Sequence, residues 1–323
     1  MLIPSDQITD WNDLQGKVCQ LFREMGYYAE TERPVDLGGR GKKNIDVYIR
    51  DDRASVNQIM LVECKWWASS VPQEVVHSMQ AIMHNSGANT GFIISKKGFQ
   101  RGAHEATVST NIHLMTWEEI QRTFGKQWHL HQAEKLAPIL AEIRGIDFSH
   151  LDQGHTTIPI SNNMIFHTEE QTIALMDVLR DMRVAQFAGM AQPKTFDEVP
   201  PITVSVHHGF PGSIKDANGL DVLQFGSVRA FYGWLGPWAQ SLILKYRDLC
   251  KQARVAFDAL PERKQQEAFQ QTLSEIAGET PIRAFRQMLG DSEYFALLHK
   301  LGSKGVEPSI QNPPGAGTGP GSV

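Results

Sequence analysis

Three ionisable side chains stand where an apolar strand would not ordinarily carry them. Asp46 interrupts the run IDVYI (45–49), and Glu63 and Lys65 sit inside IMLVECKWW (59–67). Residues two apart on a strand share a face, so Glu63 and Lys65 emerge together while Val62 and Cys64 point the other way, into the core. If the two segments pair as antiparallel neighbours, Asp46 approaches Glu63, and two carboxylates that close repel unless a proton or a cation lies between them. Buried charges are costly unless they are paired or bind a metal, and a divalent cation would satisfy both acids at once. Ligation by Asp46, Glu63, the backbone carbonyl of Cys64 and waters is all-oxygen, which suits Mg2+ or Mn2+ rather than zinc. The Lys65 ammonium would then orient or help deprotonate a water and stabilise charge building on a phosphate. Asp, Glu-x-Lys and a hard cation together describe phosphodiester hydrolysis, with Asp46, Glu63 and Lys65 as the catalytic set.

The residues that follow extend the pattern. IDV, then LVECK, then a helix, then GFIISKKGFQRGAHEAT (91–107) resemble the Mrr-type restriction endonuclease domain of the PD-(D/E)xK nuclease superfamily, over roughly Gln7 to Phe124. The resemblance implies an α/β fold of restriction-endonuclease type, a mixed sheet flanked by helices. It implies Asp46 and Glu63 as metal ligands and Lys65 as the residue assisting hydrolysis. Many relatives also carry a glutamate in the first helix, and eleven residues before Gly26 this chain has Gln15. The proline of the superfamily's name is replaced by Ile45. An ExK triplet arises by chance in many strands, and its bland reading is a solvent-facing pair. The apolar residues on both sides argue instead for a strand buried within its sheet.

Other residues are weaker candidates. Arg40, Lys42 and Lys43 lie in the glycine-rich stretch DLGGRGKKN (36–44), read as a loop able to hold a DNA backbone. Lys96, Lys97 and Arg101 near a helix start could do the same. Gln73, His77 and Gln80 fall on the helix after ExK, where some relatives carry a polar residue that reaches the site. Gln15 and Gln80 are the accessory candidates. Trp66 and Trp67 are of a type that stacks on bases, with one of the two expected in the core. His207 and His208 have no acid or cysteine at metal spacing and read as surface histidines. His129 and His131 are assigned no role.

These residues must be positioned by ordinary elements. An amphipathic helix is expected over Gln7–Met25, closed by Gly26, then a short strand around Tyr27–Thr31, the basic loop, and the antiparallel strands IDVYI and IMLVECKWW. Pro72 opens a helix that Gly87 closes. The strand TGFIIS, a helix near Phe99–Val108, the strand IHLM and a helix from Thr116 complete an α/β domain. A connecting helix over His131–Arg144 leads into a less legible half. It holds a helix in EEQTIALMDVLRDM, β-like ITVSVHH, and helices from Val228 onward. The expected domains are 1–130, the nuclease; 131–305, a largely helical recognition or regulatory region; and 306–323, a Pro/Gly-rich disordered tail.

The 323 residues, 41% of them hydrophobic, are enough to bury a real core. A net charge of −5 does not suggest coating of nucleic acid or an anionic membrane by bulk attraction, so any such contact needs a local basic patch. Three scattered cysteines suggest neither a disulfide framework nor a zinc site and fit a reducing cytoplasm. No secretory signal is apparent, and the most apolar helical window, from Ala230, is too short to span a bilayer. The reading is a Mg2+-dependent DNA endonuclease, for which the resemblance implies defence against foreign DNA. Because a double-strand cut needs two active sites, a homo-oligomer is expected. The alternatives are an antiphage effector held inactive by a partner protein, a structure-specific repair nuclease, and a silent DNA-binding module.

Overall fold

The computed structural model describes residues 2–3, 7–146, 159–160, 164–165, 169–198, 201–265 and 267. Helix α1 (Trp11–Glu24) forms where the helical period was expected. Asp10 caps it by accepting from the Asp13 N–H at 2.8 Å, and its inner face buries Leu14, Gln15, Val18, Cys19, Leu21 and Phe22. The chain leaves the helix through Met25 and Gly26, which has φ +83. A Cβ at Gly26 would lie 2.7 Å from Cε1 of His131 as well as forcing a left-handed side-chain-bearing residue. Gly26→Ala should therefore destabilise the protein by roughly 1–3 kcal/mol, read as a lower urea midpoint at unchanged slope.

Five strands follow, β1 (Tyr28–Asp36), β2 (Lys42–Asp51), β3 (Gln58–Lys65), β4 (Thr90–Ser95) and β5 (Ile112–Thr116), in the spatial order β1-β2-β3-β4-β5. The first three run antiparallel to one another, and β3, β4 and β5 run parallel. Parallel neighbours require crossovers, supplied by α2 (Gln73–Ser86), which Pro72 opens and left-handed Gly87 closes, and by α3 (Arg101–Ala106). This is the mixed sheet flanked by helices that was expected. Two local readings need correcting. β1 extends to Asp36 rather than ending near Thr31, and it pairs with β2 down to Asp36↔Lys42. Lys42 and Lys43 are thus strand residues, and the expected loop shrinks to a turn over 37–41, where Gly38, Gly39 and Gly41 take positive φ and the Leu37 N–H donates to the Gly41 carbonyl.

Both faces of the sheet are covered. On one, Phe22 of α1 packs edge-on against Phe124 at 4.9 Å between centroids and against Tyr27 at 5.6 Å, with Phe92 of β4 at 6.4 Å. Elsewhere Ile45, Tyr48, Leu61 and Ile93 form a cluster with Val76 and Met79 of α2 and Ala103 of α3. Helix α4 (Trp117–Arg144) starts from a capping box between Thr116 and Glu119 and continues through residue 130 without a break. Its buried stripe runs from Trp117 to Ile143, so the division expected at 130 falls inside one helix.

Further on lie β6 (Pro159–Ile160) paired with β7 (Met164–Ile165), α5 (Glu169–Met190), and a small sheet of β8 (Ile202–Ser205), β9 (Ile214–Lys215) and β10 (Asp221–Phe225) in the order β8-β10-β9. Helix α6 (Val228–Asp258) follows. The chain divides into two compact units, one joining Met1–Gly145 with Val178–Lys245, the other taking in the remainder. Within the first, Glu24 of α1 is a junction. Its carboxylate accepts from Nε1 of Trp128 at 2.8 Å and from Nη2 of Arg229 at 2.5 Å, and its carbonyl accepts from Gln132 at 2.6 Å. Trp128 also meets the Tyr232 ring edge-on at 5.9 Å. Among the described residues, no helix is long and apolar enough to cross a membrane. The expected tail and the helices read beyond residue 267 lie outside the described residues.

Candidate functional site

The sheet forks, and the three predicted residues sit at the fork. Pairing between β2 and β3 runs from Asp51↔Gln58 to Val47↔Val62 and stops there. Beyond that point β2 stays with β1 and β3 stays with β4, as far as Lys65↔Ser95. In the opening, the Asp46 carboxylate replaces the missing backbone partner: its Oδ2 accepts from the Cys64 N–H at 2.7 Å. Glu63 and Lys65, two apart on β3, form an ion pair with side chains only 18% and 17% exposed. The Lys65 carbonyl accepts from the Lys96 N–H on the β4 side, so strand alternation turns the Cys64 carbonyl toward the β2 side, where Asp46 lies. The Cys64 side chain is buried, and burial raises its thiol well above the usual range, which keeps it a neutral core group rather than a sulfur ligand.

A backbone irregularity accompanies Asp46. The β1–β2 ladder has Thr31↔Val47 on one side and Arg33↔Ile45 on the other, and it skips Glu32 and Asp46 between them. Glu32 takes φ +51, a left-handed conformation costing a non-glycine residue on the order of 1 kcal/mol or more. Ile45 and Tyr48, which plain alternation would send to opposite faces, belong to the same core cluster. A kink of this kind re-aims a side chain next to it, and the side chain here is that of Asp46. Glu32 is itself neither glycine nor proline, so its own residue type gives no sign of the kink.

The electrostatics are those of a site holding more negative charge than it can comfortably keep. Burial, and then the neighbouring Glu63 carboxylate, raise the Asp46 pKa above the usual aspartate range; the Cys64 N–H and Lys65 only partly offset them. Gln15 of α1 is 1% exposed and lies beside Asp46, close enough to ease its charge, yet neither polar atom of its amide completes a hydrogen bond. A buried amide left this way is uncommon and calls for a water, an ion or a ligand. Among the described residues, no three His, Cys, Asp or Glu side chains converge as a ready metal cage. The donors present are two carboxylates, a carbonyl and an unsatisfied amide oxygen, a set that fits a hard cation completing its shell with water and does not fit zinc.

The other predicted residues fall outside this fork. Arg40 in the β1–β2 turn donates to Oδ1 of Asn85 at 2.8 Å, pinning the turn to α2, and Lys42 and Lys43 are exposed on β2. Gln80 donates to the Ala106 carbonyl at 3.1 Å, so its amide ties α2 to α3. Lys96 and Lys97 follow β4 and are exposed. His207 contacts Asp181 at 3.1 Å and His208 contacts Asp221 at 3.0 Å, acids far apart in sequence that spacing rules could not reveal. Nδ1 of His129 and Nε2 of His131 are buried without partners, and burial lowers both pKa values.

Comparison with known proteins finds one matching family model and a few distant structural neighbours. Residues 7–124 match the family model Mrr_cat, described as restriction endonuclease. None of the curated proteins matches the chain. Among solved structures, a crystal structure of a protein of unknown function aligns at 19% identity and TM-score 0.30, over 34% of this chain and 59% of its own. The DNA modification-dependent restriction endonuclease AspBHI aligns at 17% identity and TM-score 0.27, over 35% and 31% of the two chains. The MspJI restriction endonuclease in complex with a 27-mer oligonucleotide aligns at 19% identity and TM-score 0.25, over 35% and 27%. The chain thus spans 59% or less of the length of each of these structures. Residues 7–124 are thus similar to the restriction endonuclease domain that the Mrr_cat model describes.

Proposed function

We propose that this domain hydrolyses DNA phosphodiester bonds with Mg2+ or Mn2+ held by Asp46, Glu63 and the Cys64 carbonyl. The observation that carries the reading is the Asp46 carboxylate, held in the fork on the Cys64 N–H beside Glu63 with its pKa raised by burial and by that neighbour. A cation there would relieve both the carboxylate repulsion and the unsatisfied Gln15 amide. When bound, such an ion supplies charge for a phosphate and lowers the pKa of a bound water. Lys65, paired with Glu63, would keep its ammonium beside the two carboxylates, where it could orient a water or steady developing negative charge on a phosphate. Arg40, Lys42 and Lys43 would hold the DNA backbone by charge rather than by reading sequence.

The same reading extends to defence against foreign DNA in the cytoplasm, by a homo-oligomer that supplies two sites for a duplex cut. The region beyond the nuclease domain would recognise the target or a partner protein. The test is cleavage of a supercoiled plasmid by the purified protein with Mg2+ and with EDTA. Activity is expected only with the metal, absent in Glu63→Ala and reduced roughly a hundredfold in Lys65→Met. Tight DNA binding without cleavage under any metal would favour a silent binding module. Cleavage only after adding another protein would favour an effector under restraint.

A further inference from the structure

The C-terminal ends of parallel strands β3 and β4 lie side by side, joined by the hydrogen bond from the Lys96 N–H to the Lys65 carbonyl. They bring together Trp66 with Lys96 and Trp67 with Lys65, the latter also paired with Glu63, and Lys97 follows Lys96 in the chain. The two tryptophans are in different situations. Trp66 is committed, its Nε1 donating to the Thr9 carbonyl at 3.0 Å and its ring lying under the Lys96 ammonium at 4.1 Å. Trp67 is 42% exposed, and its indole N–H has no hydrogen-bond partner among the described residues. A single exposed aromatic ring is ordinary on a protein surface. This one is set apart by position, two residues beyond Lys65 with the Lys65 ammonium 5.2 Å from its ring centroid. Lys65 is neutralised by Glu63, and the exposed positive charge at this edge is that of Lys96 and Lys97.

An exposed ring bordered by cations is the arrangement that binds single-stranded nucleic acid: the lysines follow the backbone and the ring stacks on a base. A base inside a duplex has both faces covered by its neighbours, so only an unpaired or extruded base can use such a ring. We propose that Trp67 stacks on an unpaired nucleotide of DNA, with Lys96 and Lys97 on its phosphates, so that the site acts beside single-stranded or locally unpaired positions. This rests on the nuclease reading above, but its first readout needs no catalysis.

The test measures fluorescence anisotropy in EDTA with three labelled DNAs of one sequence: single strand, perfect duplex, and duplex with one unpaired nucleotide. The wild-type protein should bind the first and third at least tenfold more tightly than the second. Trp67→Ala should weaken those two by roughly tenfold and leave the perfect duplex unchanged, while Trp67→Tyr should recover most of the loss. Equal binding of all three DNAs by the wild type, no binding to any, or a uniform loss in Trp67→Ala would overturn the proposal. Cleavage with Mg2+ measured in parallel separates the two claims. Cleavage without discrimination leaves the nuclease standing and removes the stacking role, and discrimination without cleavage does the reverse.

Discussion

Asp46→Asn should yield a folded protein that has lost Mg2+-dependent cleavage by about a thousandfold or more and melts no lower than the wild type. The two halves of this expectation come from one geometry. Asparagine keeps an oxygen where Oδ2 now accepts from the Cys64 N–H, so the fork retains its hydrogen bond. What is lost is the negative charge that a cation needs. The pKa of Asp46 is raised in the fold, so the folded state favours the protonated acid. The Asp46 contribution to stability is therefore fully present below the ordinary aspartate pKa and is lost as the pH rises through the raised value. At neutral pH the ionised side chain is a standing cost, which the amide removes. Calorimetry across pH checks the sign: the wild type should gain on the variant as the solution is acidified, and Mg2+ should raise the wild-type melting temperature but not that of the variant. A variant markedly less stable at pH 7, or one that still cuts at the wild-type rate, would contradict the assignment.

Phe22→Ala should be the most damaging substitution to stability, lowering it by roughly 3–5 kcal/mol. Phe22 is fully buried, and its ring links α1 to Tyr27, to Phe92 on β4, and to Phe124 of α4. Removing the ring leaves a void between three elements, none of which can collapse into it without shifting the other two. Because α1 also carries Gln15 to Asp46, a loosened helix should weaken metal binding along with stability. Chemical denaturation reports the first effect and metal titration the second. A loss below about 1 kcal/mol would mean that the neighbouring rings close the gap.

The parts of this molecule legible in the sequence are those whose signals are local. Alternating apolar residues with isolated charges marked β2 and β3, and the structure puts the candidates Asp46, Glu63 and Lys65 on them. Pro72 and Gly87 bracketed α2, and Thr116 with Glu119 opened α4. The misses share a different cause. β1 is an edge strand whose second half, TERPVD, is polar and contains Pro34. It shows none of the periodicity of a buried strand, so Lys42 and Lys43 were read as part of a loop. The kink at Glu32 lies in a residue that gives no warning of it. The division placed at residue 130 falls inside α4, a helix with buried residues on both sides of that position. The attachment of residues 178–245 to the first unit depends on pairs more than a hundred positions apart, such as Glu24 with Arg229.

That last pair bears on how the protein can be dissected. A fragment cut after α4 would keep every strand of the five-stranded sheet, yet it would strip the Glu24 carboxylate of its guanidinium and bare the indole of Trp128 where Tyr232 now lies. Such a fragment would be prone to self-association, whatever its chemistry. A fragment that keeps these two contacts must extend past Tyr232, and deletion mapping that ignores this would mistake a sticky surface for a lost activity.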